Sequence, residues 1–191
     1  MKMRTLAAAV AMTAGFVAAA HAEPATYAVD PSHTSVTSQS RHFGTSTTLV
    51  KFLAKSGTIT IDPAAGTGKA DIVIDAASPL SGIPKLDEHL KSTEFFSAKL
   101  FPEATFTATG FKFNGDKVTQ ITGELTMVGK TNPIVLNATN YSCYTSPMSK
   151  KQVCGGDFET TVQRSQWNIN YLVPLVSDET KLVVQIEAIK Q

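Results

Sequence analysis

The chain has 191 residues, with 17 basic and 16 acidic side chains and no block of like charge. That balance provides no electrostatic footprint for nucleic acid and no polybasic membrane anchor. The length suits a single domain.

The first residues read as a leader. Lys2 and Arg4 precede an apolar run from Leu6 to Ala20, and Ala20-His21-Ala22 is a small-x-small cleavage signal. This pattern predicts a secretory signal peptide over 1–22, cut between Ala22 and Glu23. The run is too short and too alanine-rich for a transmembrane helix. No cysteine stands at the cut to take a lipid anchor, and no later segment is apolar for long enough to span a bilayer. The expected product is a soluble exported domain, 23–191, in a bacterial periplasm. Removing Lys2 and Arg4 takes the basic count from 17 to 15 against 16 acidic residues, a formal net charge of −1.

Period-two alternation dominates from there. "TSVTSQSRHFG" sets Val36 among hydroxyls, "KSGTITID" runs into a turn assigned to Gly66 and Gly68, and "GKADIVIDAA" puts Ala70, Ile72, Ile74 and Ala76 on one face. In "PEATFTATGFKFNGD", Ala104, Phe106 and Ala108 share a face, and Phe111 and Phe113 take the opposite parity. Gly110 sits at the switch, as expected of a β-bulge. Asn114-Gly115-Asp116 reads as a hairpin turn. "KVTQITGELTM" and "PIVLNATNY" form the next pair, "GDFETTVQR" and "SQWNINYLVP" follow, and "TKLVVQIEAI" closes the chain. About eight regularly spaced strands predict an antiparallel sandwich or barrel.

One segment breaks the rhythm. In "SGIPKLDEHLKSTEFFSAKLFP", Pro84 suits a first helical turn, Asp87 and Glu88 follow it, and Leu86 and Leu90 share a helix face. Thr93-Glu94 opens a second turn carrying Phe95 and Phe96. The segment reads either as a lid or as a plug over a barrel end.

Cys143 and Cys154 fit an oxidising compartment. A bridge between them would staple a long hairpin. The alternative, a redox-active pair, lacks Cys-x-x-Cys spacing.

No catalytic constellation emerges. His33, His42 and His89 have no His-x-x-x-His spacing, there is no Gly-x-Ser-x-Gly elbow, and "GTGKA" fails the phosphate-loop pattern at Pro63 and Ala70. A metal-assisted hydrolase would have to bring His33, His42 and Asp30 together through the fold. The reading is therefore non-enzymatic, with no catalytic residue, metal ligand or cofactor assigned.

The apolar faces mix large and small residues: Phe106 with Ala104 and Ala108, Leu125 with Gly123, Leu136 with Ala138, and Ile186 with Ala188. Inside a barrel, small residues either leave a cavity for an apolar ligand or receive bulky partners from facing strands. Arg164 shares parity with Phe158 and Val162, which places it on an apolar strand face. A buried guanidinium there requires a carboxylate, a phosphate or carbonyl partners.

The stretches "YAVDPSHTSV", "RHFG", "DEHLKSTEFF", "FPEATFTAT", "GELTMVGKTNPIVL" and "RSQW" occur in the order and spacing of the YceI-like family, which the mature chain resembles over nearly its whole length. The resemblance implies an all-β fold: an eight-stranded antiparallel, lipocalin-like barrel with a short helical segment near residues 84–97. It also implies a non-catalytic carrier for an isoprenoid, quinone-like or fatty-acyl lipid, and it recasts Ala104, Ala108 and Gly123 as tunnel wall. On that basis Phe106, Leu125, Phe158 and Trp167, with Leu86, Leu90, Phe95 and Phe96, are expected to contact the lipid tail, and Arg164 its head group. Gln166, Trp167 and Asn168 depart from the family's usual acidic-aromatic-glycine run after Arg164-Ser165, and the Cys143–Cys154 hairpin is not a general family feature. Rival expectations are the His33/His42 hydrolase and a stress-response protein with a filled barrel. Outer-face hydrophobes such as Val183 and Ile189 are available to a homodimer.

Overall fold

The computed structural model describes residues 24–191; the expected signal peptide, with its cut at Ala22 and Glu23, lies outside them. Nine strand segments appear in chain order: β1 Ala25–Val29, β2 Ser35–His42, β3 Ser46–Asp62, β4 Thr67–Asp75, β5 Glu103–Asn114, β6 Lys117–Met127, β7 Lys130–Thr145, β8 Gln152–Gln163 and β9 Val176–Lys190. One helix, α1 Pro84–Leu90, interrupts them between β4 and β5. β1 and β2 lie end to end between β3 and β9, so nine segments make eight staves. Each stave pairs antiparallel with its sequence neighbours, and β9 returns to β1 and β2 to close the ring. Closure pairs the sheet around the ring apart from the stretch of β3 that runs past β4, which limits the exposed edge that is the usual hazard of an open sheet.

Local chemistry explains where the staves break. Between β1 and β2, Pro31 offers no N–H to a ladder, and the Asp30 carboxylate accepts the Ser32 N–H at 2.9 Å, folding Pro31–His33 into a single tight turn. At Gly110 the β5–β6 register shifts after Ala108, which turns Phe111 inward. Its ring lies across Gly68, where a Cβ would come within 2.7 Å of it. Gly68 is thus a strand residue of β4 that makes room for an aromatic ring; the β3–β4 turn belongs to Pro63–Gly66, with Gly66 at φ +68°.

Two other expectations need correction. β3 starts at Ser46, well before Lys55. "SQWNINYLVP" is no strand: Arg164–Trp167 forms a short 3-10 turn, Asn168 adopts a left-handed φ of 63°, and the chain loops on to β9. The bulge at Gly110, the Gly115 hairpin turn at φ +58° and the helix from Pro84 all occur where expected.

The alternating faces build the interior. Ala70, Ile72 and Ile74 of β4 stand opposite Ala108, Phe106 and Ala104 of β5, and all six are buried. Phe106 in turn pairs with Leu125 of β6.

β3 outruns β4. Their pairing stops at Ala54, and beyond it the free edge of β3 makes only a two-bond bridge, 2.9 Å each way, between Lys51 and Leu80. The connection 76–102, which contains α1, covers this gap. Both its ends are tied together by Ala76 and Ala77 N–H groups donating to the Pro102 carbonyl at 3.0 and 3.2 Å.

Candidate functional site

The barrel is hollow. A cavity of about 540 Å³ runs along its interior, from Tyr27, Ile61, Cys154 and Ala188 at one end to Leu86, Phe95, Phe96 and Leu172 at the other. That volume falls within the range of small-molecule sites. Its wall is apolar over most of its length because strand alternation delivers every second side chain inward. The interior is not filled by the protein's own side chains, and the filled-barrel expectation is set aside.

Seven of the eight residues expected at a lipid tail line this cavity: Leu86, Leu90, Phe95, Phe96, Phe106, Leu125 and Phe158. Trp167 does not. It is fully buried behind the wall, its indole Nε1–H donating to the Leu125 carbonyl at 2.8 Å. Of the small residues expected to form tunnel wall, Ala104 lines the cavity and Ala108 and Gly123 do not. At Gly123 a Cβ would lie 2.5 Å from the Phe106 ring, so that ring fills the space the glycine leaves. Large-on-small packing across strands and a residual cavity coexist in one barrel.

Two segments cap the mouth. One is 76–102, with Phe96 edge-to-face on Phe52 at 5.0 Å. The other is the β8–β9 connection, 164–175. They meet at an aromatic cluster in which Tyr171 sits 5.3 Å from His89 and 5.4 Å from Phe95, all edge-to-face. His89 is oriented by Glu94, which bonds its Nε2.

Arg164 holds the second segment in shape. It is buried, lies in the 3-10 turn at the end of β8, and lines the cavity, as a residue expected at the lipid head group would. Its Nε donates to the Ser177 carbonyl at 2.9 Å, one terminal nitrogen to Ile169 at 2.8 Å, and the other to Tyr171 at 2.8 Å and Val176 at 2.9 Å. A guanidinium has five N–H donors; four are occupied by backbone carbonyls, two in the loop and two at the start of β9. Burial pushes its pKa down, and Asp178 opposes that shift. Asp178 also accepts the Ser165 N–H at 2.8 Å and hydroxyl at 2.7 Å. "RSQW" is therefore a loop-shaping motif.

A polar flank went unnoticed in the sequence. Thr34, Val36, Ser38, Ser40 and His42 alternate along the β2 stave, and all five line the cavity. Thr48 and Thr180 join them from the neighbouring staves. Ser40 and Thr180 share a hydrogen bond of 2.9 Å, and Ser38 donates to the Val50 carbonyl at 3.3 Å. The parity of Val36 was the available signal: residues two and four positions beyond it must face the same way.

The structure keeps the histidines of the hydrolase expectation apart. His42 lines the mouth, whereas His33 lies beyond the other end of β2, its Nδ1 2.8 Å from the Asp30 carboxylate. The eight residues of β2 separate them by about 26 Å. Cys143 and Cys154 are directly opposed on β7 and β8 and form a disulfide, with Cys154 against the cavity's far end. Beside them, burial pushes the Tyr141 phenol up to about 12.

A closed up-and-down barrel around an elongated apolar cavity, capped by a helical excursion, defines a class of ligand-enclosing β-barrels. Within that class the chain belongs to the YceI-like family, whose domain model matches residues 27–188. Protein YceI of Escherichia coli O157:H7 is 32% identical over 178 residues, 91% of this chain and 91% of its own. Among solved structures, the Campylobacter jejuni YCEI protein has 27% identity and a TM-score of 0.65, covering 79% of this chain and 90% of its own. A polyisoprenoid binding domain from Saccharophagus degradans shares the fold at a TM-score of 0.62 and 15% identity, covering 86% of this chain and 98% of its own.

Proposed function

We propose that this chain is a non-catalytic carrier that holds one long-chain isoprenoid or similar amphiphilic lipid inside its barrel. The observation that carries the reading is the 540 Å³ apolar cavity spanning the interior. A cavity of that size in a protein interior is costly to leave empty, because its lining forfeits dispersion contacts. A hydrocarbon chain restores them. The shared fold of a domain named for polyisoprenoid binding supports the same reading.

The leader over 1–22 directs the protein to the periplasm, where 23–191 acts as the mature domain. The disulfide suits that compartment. Leu86, Leu90, Phe95 and Phe96 close the mouth over the bound tail, while Phe106, Leu125 and Phe158 contact it deeper in.

The head group rests against the β2 flank. Ser38, Ser40, His42, Thr48 and Thr180 offer hydroxyls and an imidazole at the mouth. These groups suit an uncharged oxygen head, an alcohol or a quinone-type carbonyl, better than a diphosphate, which requires free cations. Arg164 contributes indirectly, by holding the loop that frames the mouth.

Native mass spectrometry of the purified mature protein, before and after organic extraction, tests this. A lipid-sized mass that extraction removes is the expected result. A protein that carries no such mass, and takes up none from a mixed-micelle solution of polyprenol, defeats the reading.

A further inference from the structure

The two ends of the barrel show different surfaces to solvent. Phe43, Ile83, Leu100, Leu172, Val173 and Leu175 are all exposed, by 37% to 73%, and all lie on the connections at the mouth. Among the described residues, the turns at the other end, 63–66, 115–116 and 146–151, expose one large hydrophobe, Met148. Scattered exposed hydrophobes are ordinary; a cluster around one opening is not.

Three observations identify what covers this rim. First, it is continuous with the cavity: Ile83 and Leu172 are exposed to solvent and also line the interior. Second, it is one surface, since the Phe43 N–H donates to the Leu175 carbonyl at 2.7 Å and Tyr171 packs on His89 and Phe95. Third, its unpaired charges are mostly cationic. Within the 76–102 segment Glu88 bonds Lys91 and Glu94 bonds His89, and Asp87, held by the Ser81 hydroxyl, is the one acid there without a basic partner. Lys85, Lys99 and the neighbouring Arg41 form no ion pair among the described residues. The 164–175 connection contains no acid, and its one arginine, Arg164, is buried.

We propose that this rim docks on the interface of an anionic phospholipid membrane, and that the cavity exchanges its lipid while seated there. Apolar side chains entering the acyl boundary, ringed by cations facing the phosphates, is the pattern of interfacial membrane binding. A second copy of the chain fits less well. A two-fold contact through the rim would set the same unpaired cations against each other. The exchange half of the proposal rests on the carrier reading above; the docking half does not.

Flotation of the mature, disulfide-intact protein with vesicles of phosphatidylethanolamine and phosphatidylglycerol tests it, against phosphatidylcholine vesicles as reference. The wild type is expected to float with the anionic vesicles, and less so in high salt. The triple variant F43S/L100S/L175S, none of whose positions lines the cavity, should float about tenfold less while taking up a fluorescent polyprenol from detergent as the wild type does. Should the triple variant melt early, Leu100→Ser alone decides, since Leu100 is 73% exposed. Wild-type protein that stays unbound to both vesicle types overturns the proposal. So does sedimentation equilibrium showing a wild-type dimer that the triple variant abolishes. Flotation by a protein that takes up no polyprenol supports docking and instead defeats the carrier reading.

Discussion

The mouth and the far end of this barrel are made by the same eight staves, yet they are built on opposite principles. At the far end the strands turn within a few residues: two at Gly115–Asp116, four at Pro63–Gly66. Tyr27, Ile61, Cys154 and Ala188 pack there as a separate small core, the Tyr27 hydroxyl donates to Gln152 at 3.0 Å, and the disulfide ties β7 to β8. At the mouth, two of the connections are long: 164–175 is held by side chains reaching backbone atoms, and 76–102 by isolated backbone bonds at Pro102 and Leu80 rather than by a ladder. The ladders close the wall except where β3 outruns β4, so access to the interior falls to the mouth, where the long connections cover that gap. The difference teaches where conformational freedom was left: the far end is stapled shut, and the mouth is clamped by hydrogen bonds that a moving loop can remake.

The largest expected effect lies at the clamp. Arg164→Ala removes four donors from four backbone carbonyls, of the loop and the start of β9, in a buried setting and should cost about 3 kcal/mol or more in urea unfolding. Arg164→Lys should rescue little of that, because a single ammonium cannot span the fork geometry. A loss under about 1 kcal/mol for Arg164→Ala would mean that the loop holds its own shape. The far end supplies the contrast. The double variant C143A/C154A opens a loop with a sequence separation of 11 and should cost about 3 kcal/mol by chain entropy. Its effect should stay at that end: thermal melting falls, while vesicle flotation and polyprenol uptake remain near wild type. Loss of flotation on removing the disulfide would show that the two ends are mechanically coupled.

Most of the barrel was legible because period-two alternation is a local signal. Ala70, Ile72 and Ile74, or Ala104, Phe106 and Ala108, announce a buried face without reference to anything distant. The parity switch at Gly110 was equally readable, since a bulge changes the alternation itself. What escaped depends on contacts far apart in sequence. Ile169, Tyr171 and Val173 alternate as a strand would, but Arg164 draws the carbonyls of Ile169 and Tyr171 together with that of Val176, which no extended strand permits. Gly123 read as tunnel volume because the ring that fills it comes from the adjacent stave. The polar flank was hidden for a different reason. Serines in a half-buried strand ordinarily face water, and the inward hydroxyls of Ser38 and Ser40 are accommodated by partners on neighbouring staves, Val50 and Thr180.

The smallest effect should come from the break in the first stave, midway between the two ends in character: a tight turn, but fixed by a side chain. The Asp30 carboxylate accepts from the Ser32 N–H at 2.9 Å and hydroxyl at 2.5 Å, and contacts His33 Nδ1 at 2.8 Å. The Ser32 bond first, and His33 second, hold its pKa below the usual carboxylate value. A group whose folded pKa is depressed contributes stability above its unfolded pKa, near 4, and loses it as pH falls through the folded value. Asp30→Ala should therefore cost about 1 kcal/mol at pH 7, the usual cost of losing such a cap. The gap between wild type and variant should close as pH is lowered below about 4. His33 has the opposite sign, its pKa raised by Asp30 and by Glu187, so its share fades as pH rises through that raised value. The imidazole is largely exposed, which leaves the carboxylate to dominate. A difference between wild type and variant that stays flat from pH 7 to pH 2 would show that Asp30 acts through its shape alone. In that case Asp30→Asn, which keeps an acceptor oxygen and loses the charge, would match the wild type at every pH.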